Sequence, residues 1–170
     1  MPADIRDLIS YRLALLAGLN DRSGHAHVSE MFDVTLGEWR VLGNIKSCAP
    51  LTLSSLARVM FVDKGQLSRM VGALVQRGWV RETPSRTDRR TATLSLSAAG
   101  RRQHDRIFVF AQERNQVLLT VLDPSERREL HRLVDKLAIF VEAEHAALAR
   151  GSARQAEAAA RTVTVSRAAQ

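Results

Sequence analysis

The chain of 170 residues has a single cysteine, Cys48, and no apolar run of the length that crosses a bilayer. One cysteine cannot form an internal disulfide, which is typical of proteins from reducing compartments, so we expect a cytoplasmic protein. The N-terminal residues MPADIRDLIS include early acidic side chains and lack the apolar core of a secretory signal. The sequence therefore predicts neither membrane insertion nor export.

The sequence also lacks the short motifs that identify common catalytic and cofactor sites. It contains no Walker loop, dinucleotide fingerprint, nucleophile elbow or metal-binding motif. We accordingly predict that the protein is not an enzyme, and we expect no catalytic residues, no metal site and no cofactor.

Positive charge is in excess. The formal net charge of +7 and the pI of about 10.9 favour an anionic partner. Residues 52–90 carry eight Lys/Arg against three Asp/Glu, so much of the excess lies in one segment. A basic balance also occurs in ribosome- and membrane-binding proteins, so charge alone does not identify the partner. The apolar fraction of 45% excludes wholesale disorder, and the length fits one domain with or without a dimerisation arm.

Two short amphipathic helices are predicted in residues 52–76, because apolar side chains recur there at helical spacing. Phe61 and Val62 leave room for only a tight turn between them. Asp63 followed by Gln66 has the form of a capping box that opens the second helix. The apolar positions are Leu53, Leu56, Ala57 and Met60 in the first helix and Leu67, Met70, Val71, Leu74 and Val75 in the second.

A β-hairpin is predicted directly after these helices. Gly78 stands where a helix C-terminal glycine belongs, and residues 79–82 then have strand character. A loop rich in Pro, Ser and Thr follows at residues 83–90, and residues 91–96 alternate as a returning strand. Two helices joined by a tight turn and followed by a hairpin are typical of a winged helix.

The outer face of the helix that Asp63 opens favours DNA as the partner. Gln66, Ser68 and Arg69 can hydrogen-bond to base edges or phosphates, and Gly72 lets the helix backbone approach a groove. The alternative is an ordinary solvated face, which usually carries pairs of Glu and Lys. This face has no carboxylate after Asp63, so DNA contact is the favoured interpretation.

The predicted hairpin tip is basic, with Arg86, Arg89 and Arg90 close to Asp88. Arginines at such a tip suit a minor groove of DNA, because a narrow minor groove has a strongly negative potential that attracts them. The alternative is an exposed loop in which Asp88 neutralises one arginine, and both interpretations can hold together.

Helices are also predicted before this segment. The N-terminal helix has an apolar face too broad for a monomer, which favours packing against a second chain. Ser23 and Gly24 interrupt its pattern, so the sequence allows either a bend or one long helix. Thr35 and Glu38 form a capping box that opens a helix over residues 36–46. The N-terminal apolar face consists of Ile5, Leu8, Ile9, Leu13, Leu15, Leu16 and Leu19.

Two further helices are predicted after the hairpin. Ser97 caps the first, which continues to about residue 122. Asp123 followed by Glu126 is a strong start for the second, whose apolar stripe covers residues 130–141. We expect the pair to form a hairpin that packs against the N-terminal helix of a partner subunit.

An ordered set of sequence motifs resembles the MarR family of bacterial winged-helix transcription regulators. The set consists of LGEWRVL at residues 36–42, LTLSSLARVM at 51–60, DKGQLSRMVGALVQRGWVRE at 63–82 and SRTDRRTATLSLSAAGRR at 85–102. Each motif alone is weakly informative, whereas the set in this order and spacing is highly specific. The resemblance covers about residues 36–106, and the flanking helices fit by pattern only.

The resemblance implies a mostly α (α+β) fold, a winged helix-turn-helix domain with N- and C-terminal dimerisation helices. We therefore divide the chain into an N-terminal dimerisation region at 1–34 and a DNA-binding domain at 35–97. C-terminal dimerisation helices follow at 98–150. Residues 151–170 are rich in alanine and have no aromatic residue, which favours a mobile tail.

The function that the resemblance implies is sequence-specific regulation of transcription, with duplex DNA as the partner. A homodimer would act as a ligand-responsive repressor at a pseudo-palindromic operator. The alternative is a winged-helix module for protein contact, although such modules usually lack a basic wing. By family analogy we favour Arg89 in the groove, Asp88 as the wing support and Arg90 as structural. The expected DNA-binding set is Thr52, Ser54, Lys64, Gln66, Ser68, Arg69, Arg77, Arg86, Arg89 and Arg90.

A small aromatic acid is the expected effector, because many MarR-like proteins respond to one. The candidate pocket consists of Tyr11, His25 and His27 from the N-terminal helix region and of Trp39 and Arg40 from the helix predicted over residues 36–46. Arg40 would pair with the carboxylate. The alternatives are that Trp39 belongs only to the core and that Arg40 is exposed.

Two residue types with metal or redox chemistry are given structural interpretations. His25 and His27 face apart on a helix, so structural or pocket roles are favoured over a metal site. Cys48 lies at the end of the helix that begins at residue 36, whereas the oxidant-sensing cysteine of some MarR relatives lies in the N-terminal helix. We expect a buried and inert thiol at Cys48.

Overall fold

The computed structural model describes residues 4–84 and 91–168, except for the side chains of residues 149 and 151–168. Short 3-10 turns at Ile5–Asp7 and Leu119–Val121 accompany the longer elements. In chain order these elements are α1 (Ile9–Phe32), α2 (Leu36–Cys48), β1 (Leu51–Thr52), α3 (Leu53–Met60), α4 (Lys64–Gln76), β2 (Val80–Pro84), β3 (Ala92–Leu96), α5 (Ala98–Leu118) and α6 (Pro124–Ala168).

The first two helices are joined by a short linker. Helix α1 is continuous through Gly24, so the long helix is the correct one of the two possibilities that the sequence allowed. The α2 capping box is confirmed: the Glu38 backbone N–H donates to Thr35 Oγ1 at 3.1 Å, and the Thr35 backbone N–H donates to Glu38 Oε2 at 2.7 Å. This box fixes where α2 begins, because it satisfies N–H groups that have no partner inside the helix.

The sheet has three antiparallel strands in the order β1-β3-β2. The predicted hairpin is confirmed: Val80 lies opposite Leu96, and Glu82 lies opposite Leu94. Strand β2 begins one residue later than the sequence suggested and extends to Pro84. Strand β1, which the sequence analysis did not predict, places Leu51 opposite Leu94.

The core is formed by α2, α3, α4 and the sheet, together with single residues from α1 and α5. The predicted apolar stripe of α4 is confirmed, because Leu67 and Leu74 are fully buried and Val71 is nearly so. Burial of each such side chain contributes about 1.5–3 kcal/mol. The buried apolar residues are Val28, Val34, Val41, Leu42, Ile45, Leu51, Leu56, Leu67, Val71, Leu74, Val80, Leu94, Leu96 and Ile107.

Two residues with positive φ shape the ends of the helix-turn-helix. Gly78 has φ 69°, its N–H donates to the Val75 carbonyl, and the Trp79 N–H donates to the Leu74 carbonyl. This pair of bonds is a Schellman motif, so the predicted C-terminal glycine of α4 is confirmed. Phe61, in the turn between α3 and α4, has φ 52°. A left-handed conformation of a residue other than glycine costs about 1–3 kcal/mol.

The chain forms two compact units, and the predicted division at residues 34, 97 and 150 stays a prediction. One unit is Met1–Arg114 and the other is Asn115–Gln170, so the N-terminal helix and the winged helix belong to the same unit. The structure also continues α6 as helix to Ala168, through most of the segment for which the sequence favoured a mobile tail. Alanine has the highest helix propensity, which accounts for the helical backbone there. Among the described residues, no helix combines the length and apolarity needed to cross a bilayer.

The structure predicts opposite effects for two Gly→Ala substitutions within helices. A β-carbon at Gly100 would lie 2.0 Å from the Trp79 carbonyl oxygen, so Gly100→Ala must push α5 away from the Trp79 backbone. We expect a loss of about 3 kcal/mol of unfolding free energy. At Gly72 an added β-carbon meets no atom within 4 Å, so Gly72→Ala should add about 0.5–1 kcal/mol. Denaturant unfolding tests both, and equal stability of the two variants would contradict the packing.

Candidate nucleic-acid interface

The outward face of α4 carries the polar residues that the sequence predicts there. Lys64, Gln66, Ser68 and Arg69 are exposed, and Gly72 is half-buried. The opposite face lies in the core, so the apolar stripe holds α4 in one rotational setting. Because packing of the apolar face holds α4 in place, the polar side chains of the outward face project from a rigid element.

Asp63 caps the N-terminus of α4. Its Oδ1 accepts a hydrogen bond from the Gln66 backbone N–H at 2.9 Å. The backbone N–H groups of Gln66 and Gly65, and to a lesser degree the charge of Arg69, hold the pKa of Asp63 below its usual range. Because the folded-state pKa is lowered, the cap stabilises the fold above the unfolded-state pKa, and this contribution is lost as the pH falls through the folded-state value.

The N-terminus of α3 is capped in a similar way. Thr52 Oγ1 accepts a hydrogen bond from the Ser55 backbone N–H at 3.1 Å and lies 3.0 Å from Ser55 Oγ. Ser54 is exposed in the first turn of α3. Thr52 and Ser54, both predicted as DNA contacts, therefore lie together at a helix N-terminus, where the helix dipole favours an anion.

Arg77 lies away from this group, although the sequence analysis placed it among the phosphate contacts. Its guanidinium donates to the Asp33 carbonyl oxygen, lies 3.6 Å from Asp33 Oδ2 and stacks over the Trp79 ring with a centroid distance of 5.2 Å. Arg77 is about 16 Å along the helix axis from Gln66, since each residue of an α-helix rises about 1.5 Å. In this structure Arg77 joins the C-terminal end of α4 to that of α1.

Part of the predicted wing lies outside the described residues. The strands on either side of it are in register, with Thr83 opposite Thr93 and Pro84 opposite Ala92. Thr93 Oγ1 also donates to the Thr83 carbonyl oxygen at 3.1 Å. The predictions that lie outside the described residues are those for Arg86, Asp88, Arg89 and Arg90.

The predicted effector pocket is not assembled within one chain. Tyr11 and His25 lie on the same continuous helix, about 21 Å apart along its axis. Arg40 Nη2 is already paired with Asp21 Oδ1 at 2.6 Å. His27 Nδ1 lies 2.7 Å from the Ser23 carbonyl oxygen, which is a contact within α1. A single chain therefore does not bring these residues together, and the pocket between the dimer helices and the winged domain stays a prediction.

A groove that the sequence analysis did not predict lies between α2 and α5. The Trp39 ring is 5.2 Å from the buried His104 ring, and the Phe108 ring stacks on His104 with a centroid distance of 5.6 Å. His104 Nδ1 lies 2.8 Å from Asp105 Oδ1, and Lys46 Nζ lies 3.6 Å from the same atom. These two neighbours, His104 first, hold the pKa of Asp105 below its usual range. The groove has a volume of about 220 Å³ and is lined by Trp39, Gly43, Asn44, Ser47, His104 and Phe108.

The sequence offered a partial signal for this groove. His104 and Phe108 are four residues apart, which places both on one face of a helix. The pairing of that face with Trp39 is a tertiary contact without a local pattern. Trp39, which was predicted for the pocket with the core as the alternative, packs against the core and also lines the groove.

The prediction of a buried thiol at Cys48 was wrong. Cys48 is exposed, because it ends α2 one turn beyond the last buried residue of that helix, Ile45. In the part of the chain that the structure describes, no group of three or more His, Cys, Asp or Glu side chains could hold a metal ion.

Comparisons with known proteins agree with this architecture. Residues 32–91 match the family model described as MarR family. The multiple antibiotic resistance protein MarR of Escherichia coli is 35% identical over 80 residues, which cover 47% of this chain and 55% of that protein. The chain thus spans about half the length of the curated relatives that it matches.

Solved structures extend the likeness beyond the winged helix. The crystal structure of wild-type MarR from E. coli in its apo form has a TM-score of 0.67 at 27% identity, covering 76% of this chain and 96% of that one. The S. aureus MepR–DNA complex has a TM-score of 0.69 and covers 81% and 99% of the two chains, but its 16% identity supports the fold alone. The motifs, the fold and these matches together make the chain similar to MarR-family proteins, with residues 32–91 as the segment that matches the family model.

Proposed function

We propose that the protein is a sequence-specific DNA-binding regulator of transcription that represses from a pseudo-palindromic operator. The observation that carries this proposal is the outward face of α4, where exposed Lys64, Gln66, Ser68 and Arg69 project from a helix anchored in the core. Such a face suits the major groove, whose base edges present donors and acceptors to Gln, Ser and Arg. In a symmetric dimer, two copies of α4 would read half-sites about one helical turn apart.

The contacts divide into those that position the protein and those that read bases. Gln66, Ser68 and Arg69 are assigned to bases, and Lys64 is assigned to a phosphate. The α3 N-terminus, with Thr52 and Ser54, is assigned to a phosphate as well. Arg77 is left out because its guanidinium already contacts Asp33. For the wing, family analogy assigns Arg86 to a phosphate, Arg89 to the minor groove, and Arg90 and Asp88 to support of the loop.

A second copy of the chain is proposed as a partner because both compact units expose apolar helix faces. On α1, Leu16 and Leu19 are 57% and 53% exposed, and on α6, Leu137 and Phe140 are 45% and 60% exposed. Monomeric soluble proteins rarely expose contiguous apolar patches of this kind. These faces continue to either side, with Ile5, Leu8, Ile9, Leu13 and Leu15 exposed in the first unit and Val117, Leu118, Val121, Leu133, Val134, Ile139 and Val141 in the second.

A small aromatic acid is proposed as the effector that releases DNA. The nearest candidates for binding it are the Trp39–His104–Phe108 groove, which offers aromatic faces, and the exposed guanidinium of Arg40 on the same helix as Trp39. The acid would have to displace Asp21 from Arg40 in order to form a bidentate pair. It releases DNA only if it binds the DNA-incompetent state more tightly than the competent one.

The first prediction concerns salt and Arg69. With about 6–10 phosphate contacts per dimer, affinity for a selected operator should fall about 10³–10⁵-fold between 50 and 200 mM salt. Arg69→Ala should cost about 1–3 kcal/mol and relax the preference at one base pair per half-site. Arg132→Ala removes the same charge from α6, where Arg132 pairs with Glu129, and serves as the control. Titrations by fluorescence anisotropy test this, and a flat salt response or equal effects of both variants would contradict the docking.

The second prediction concerns the oligomeric state. The full chain should be a dimer at micromolar concentration in sedimentation equilibrium. Leu16→Asp places a charge on the exposed apolar face of α1 and should dissociate or unfold the protein, because a buried charge without a partner is costly. Ala14→Asp introduces the same charge on the opposite, exposed side of the same helix and is the matched control. A folded wild-type monomer, or a Leu16→Asp protein as dimeric as the control, would refute the proposed interface.

The third prediction concerns the effector. Among benzoate-, cinnamate- and nicotinate-like acids, at least one should release the operator. Arg40→Ala should weaken this response about tenfold or more, since a charge-assisted bidentate pair is lost. Asp21→Asn should strengthen the response, because it frees Arg40 from its present partner. The assignment fails if no acid releases DNA from the wild type, or if Arg40→Ala responds as the wild type does.

A further inference from the structure

Phe61, in the turn between α3 and α4, combines two features that are each unfavourable in a folded protein. Its side chain is 64% exposed, although it is a large apolar group. Its backbone has φ 52°, the left-handed region in which a bulky residue is a clear outlier. Glycine or asparagine would relieve the backbone strain, and a polar side chain would relieve the exposure.

The position of Phe61 places it beside the face that the proposed function assigns to DNA. It lies two residues before the cap Asp63 and five before Gln66. When a helix-turn-helix docks, the N-terminal residues of the second helix reach base edges while the first helix crosses the backbone, so the turn lies at the edge of the groove. Exposed Arg58 and Lys64 flank the turn and supply charge that complements phosphates.

The backbone of the turn is held at both ends before DNA binds. The Val62 backbone N–H donates to the Ala57 carbonyl oxygen at 3.2 Å, and Asp63 caps α4 through the Gln66 N–H at 2.9 Å. A backbone held in this way loses little conformational freedom on binding.

We propose that Phe61 is a specificity-determining residue that packs against the C5-methyl group of a thymine at the edge of each half-site. This inference rests on the proposed function, because it needs the α4 face in the major groove. A phenyl ring cannot read hydrogen-bond donors or acceptors. The apolar group that the major groove presents is the thymine methyl, and phenylalanine is among the residues that contact it.

The test replaces the thymines of a selected operator by deoxyuridine, one position at a time and at the same position in each half-site. Each replacement removes only the methyl group. The full-length wild type should lose about fourfold in affinity per substituted half-site at one position, as expected for a methyl-sized apolar contact. Phe61→Ala should bind the unmodified operator about as weakly as the wild type binds the substituted one, and it should not respond to deoxyuridine there. Val59→Ala, which changes another exposed apolar residue of the motif, should keep the wild-type response.

A second variant separates this role from a purely structural one. Phe61→Gly relieves the positive φ, so it should raise the melting temperature while losing the response to deoxyuridine. A lower melting temperature with an unchanged deoxyuridine profile would show that the ring serves the fold and would overturn the proposal.

The remaining outcomes also decide the matter. If Phe61→Ala weakens binding but every deoxyuridine effect is unchanged, the ring contacts the sugar–phosphate backbone and the thymine assignment is wrong. If no deoxyuridine position affects the wild type, or Phe61→Ala binds as the wild type does, the contact does not exist. If the wild type selects no operator at all, the proposed function fails, and this inference fails with it.

Discussion

Burial of one face of α4 is the interaction on which the rest of the structure depends. Leu67, Val71 and Leu74 contribute about 1.5–3 kcal/mol each, so together they are comparable to the net stability of about 5–15 kcal/mol of an ordinary domain. A rotation of α4 by one residue would remove all three from the core. It would also turn Gln66 and Arg69 away from the outward face, so the packing that stabilises the domain also sets the orientation of the proposed recognition surface.

The two ends of α4 have different surroundings, which suits the different roles proposed for them. At the N-terminus, the Asp63 cap and the turn at Phe61 present side chains outward. At the C-terminus, the Schellman motif at Gly78 turns the chain into β2, and Arg77 joins this end to Asp33 at the end of α1. Arg77 thus links the C-terminal end of α4 to the C-terminal end of α1.

Local signals in the sequence predicted the elements that lie closest to the proposed interface. The apolar stripe of α4 and the glycine at position 78 depend on residues within a few positions of one another, so they can be predicted from the sequence alone. The contacts of Arg77 with Asp33 and of Arg40 with Asp21 join residues far apart in sequence, which leave no periodic pattern. Strand β1 was missed for a related reason, because two residues paired with β3 are too few to alternate. The wing assignments lie outside the described residues and stay predictions.

Methylation protection on an operator selected from random DNA tests the central claim most directly, since dimethyl sulfate modifies guanine N7 in the major groove. The account predicts that the full-length protein protects major-groove guanines in two patches about one helical turn apart. Arg69→Ala should weaken protection within each patch without changing the spacing between the patches. Protection confined to the minor groove, or no protection on any selected DNA, would contradict the assignment of α4 as the element that reads the sequence.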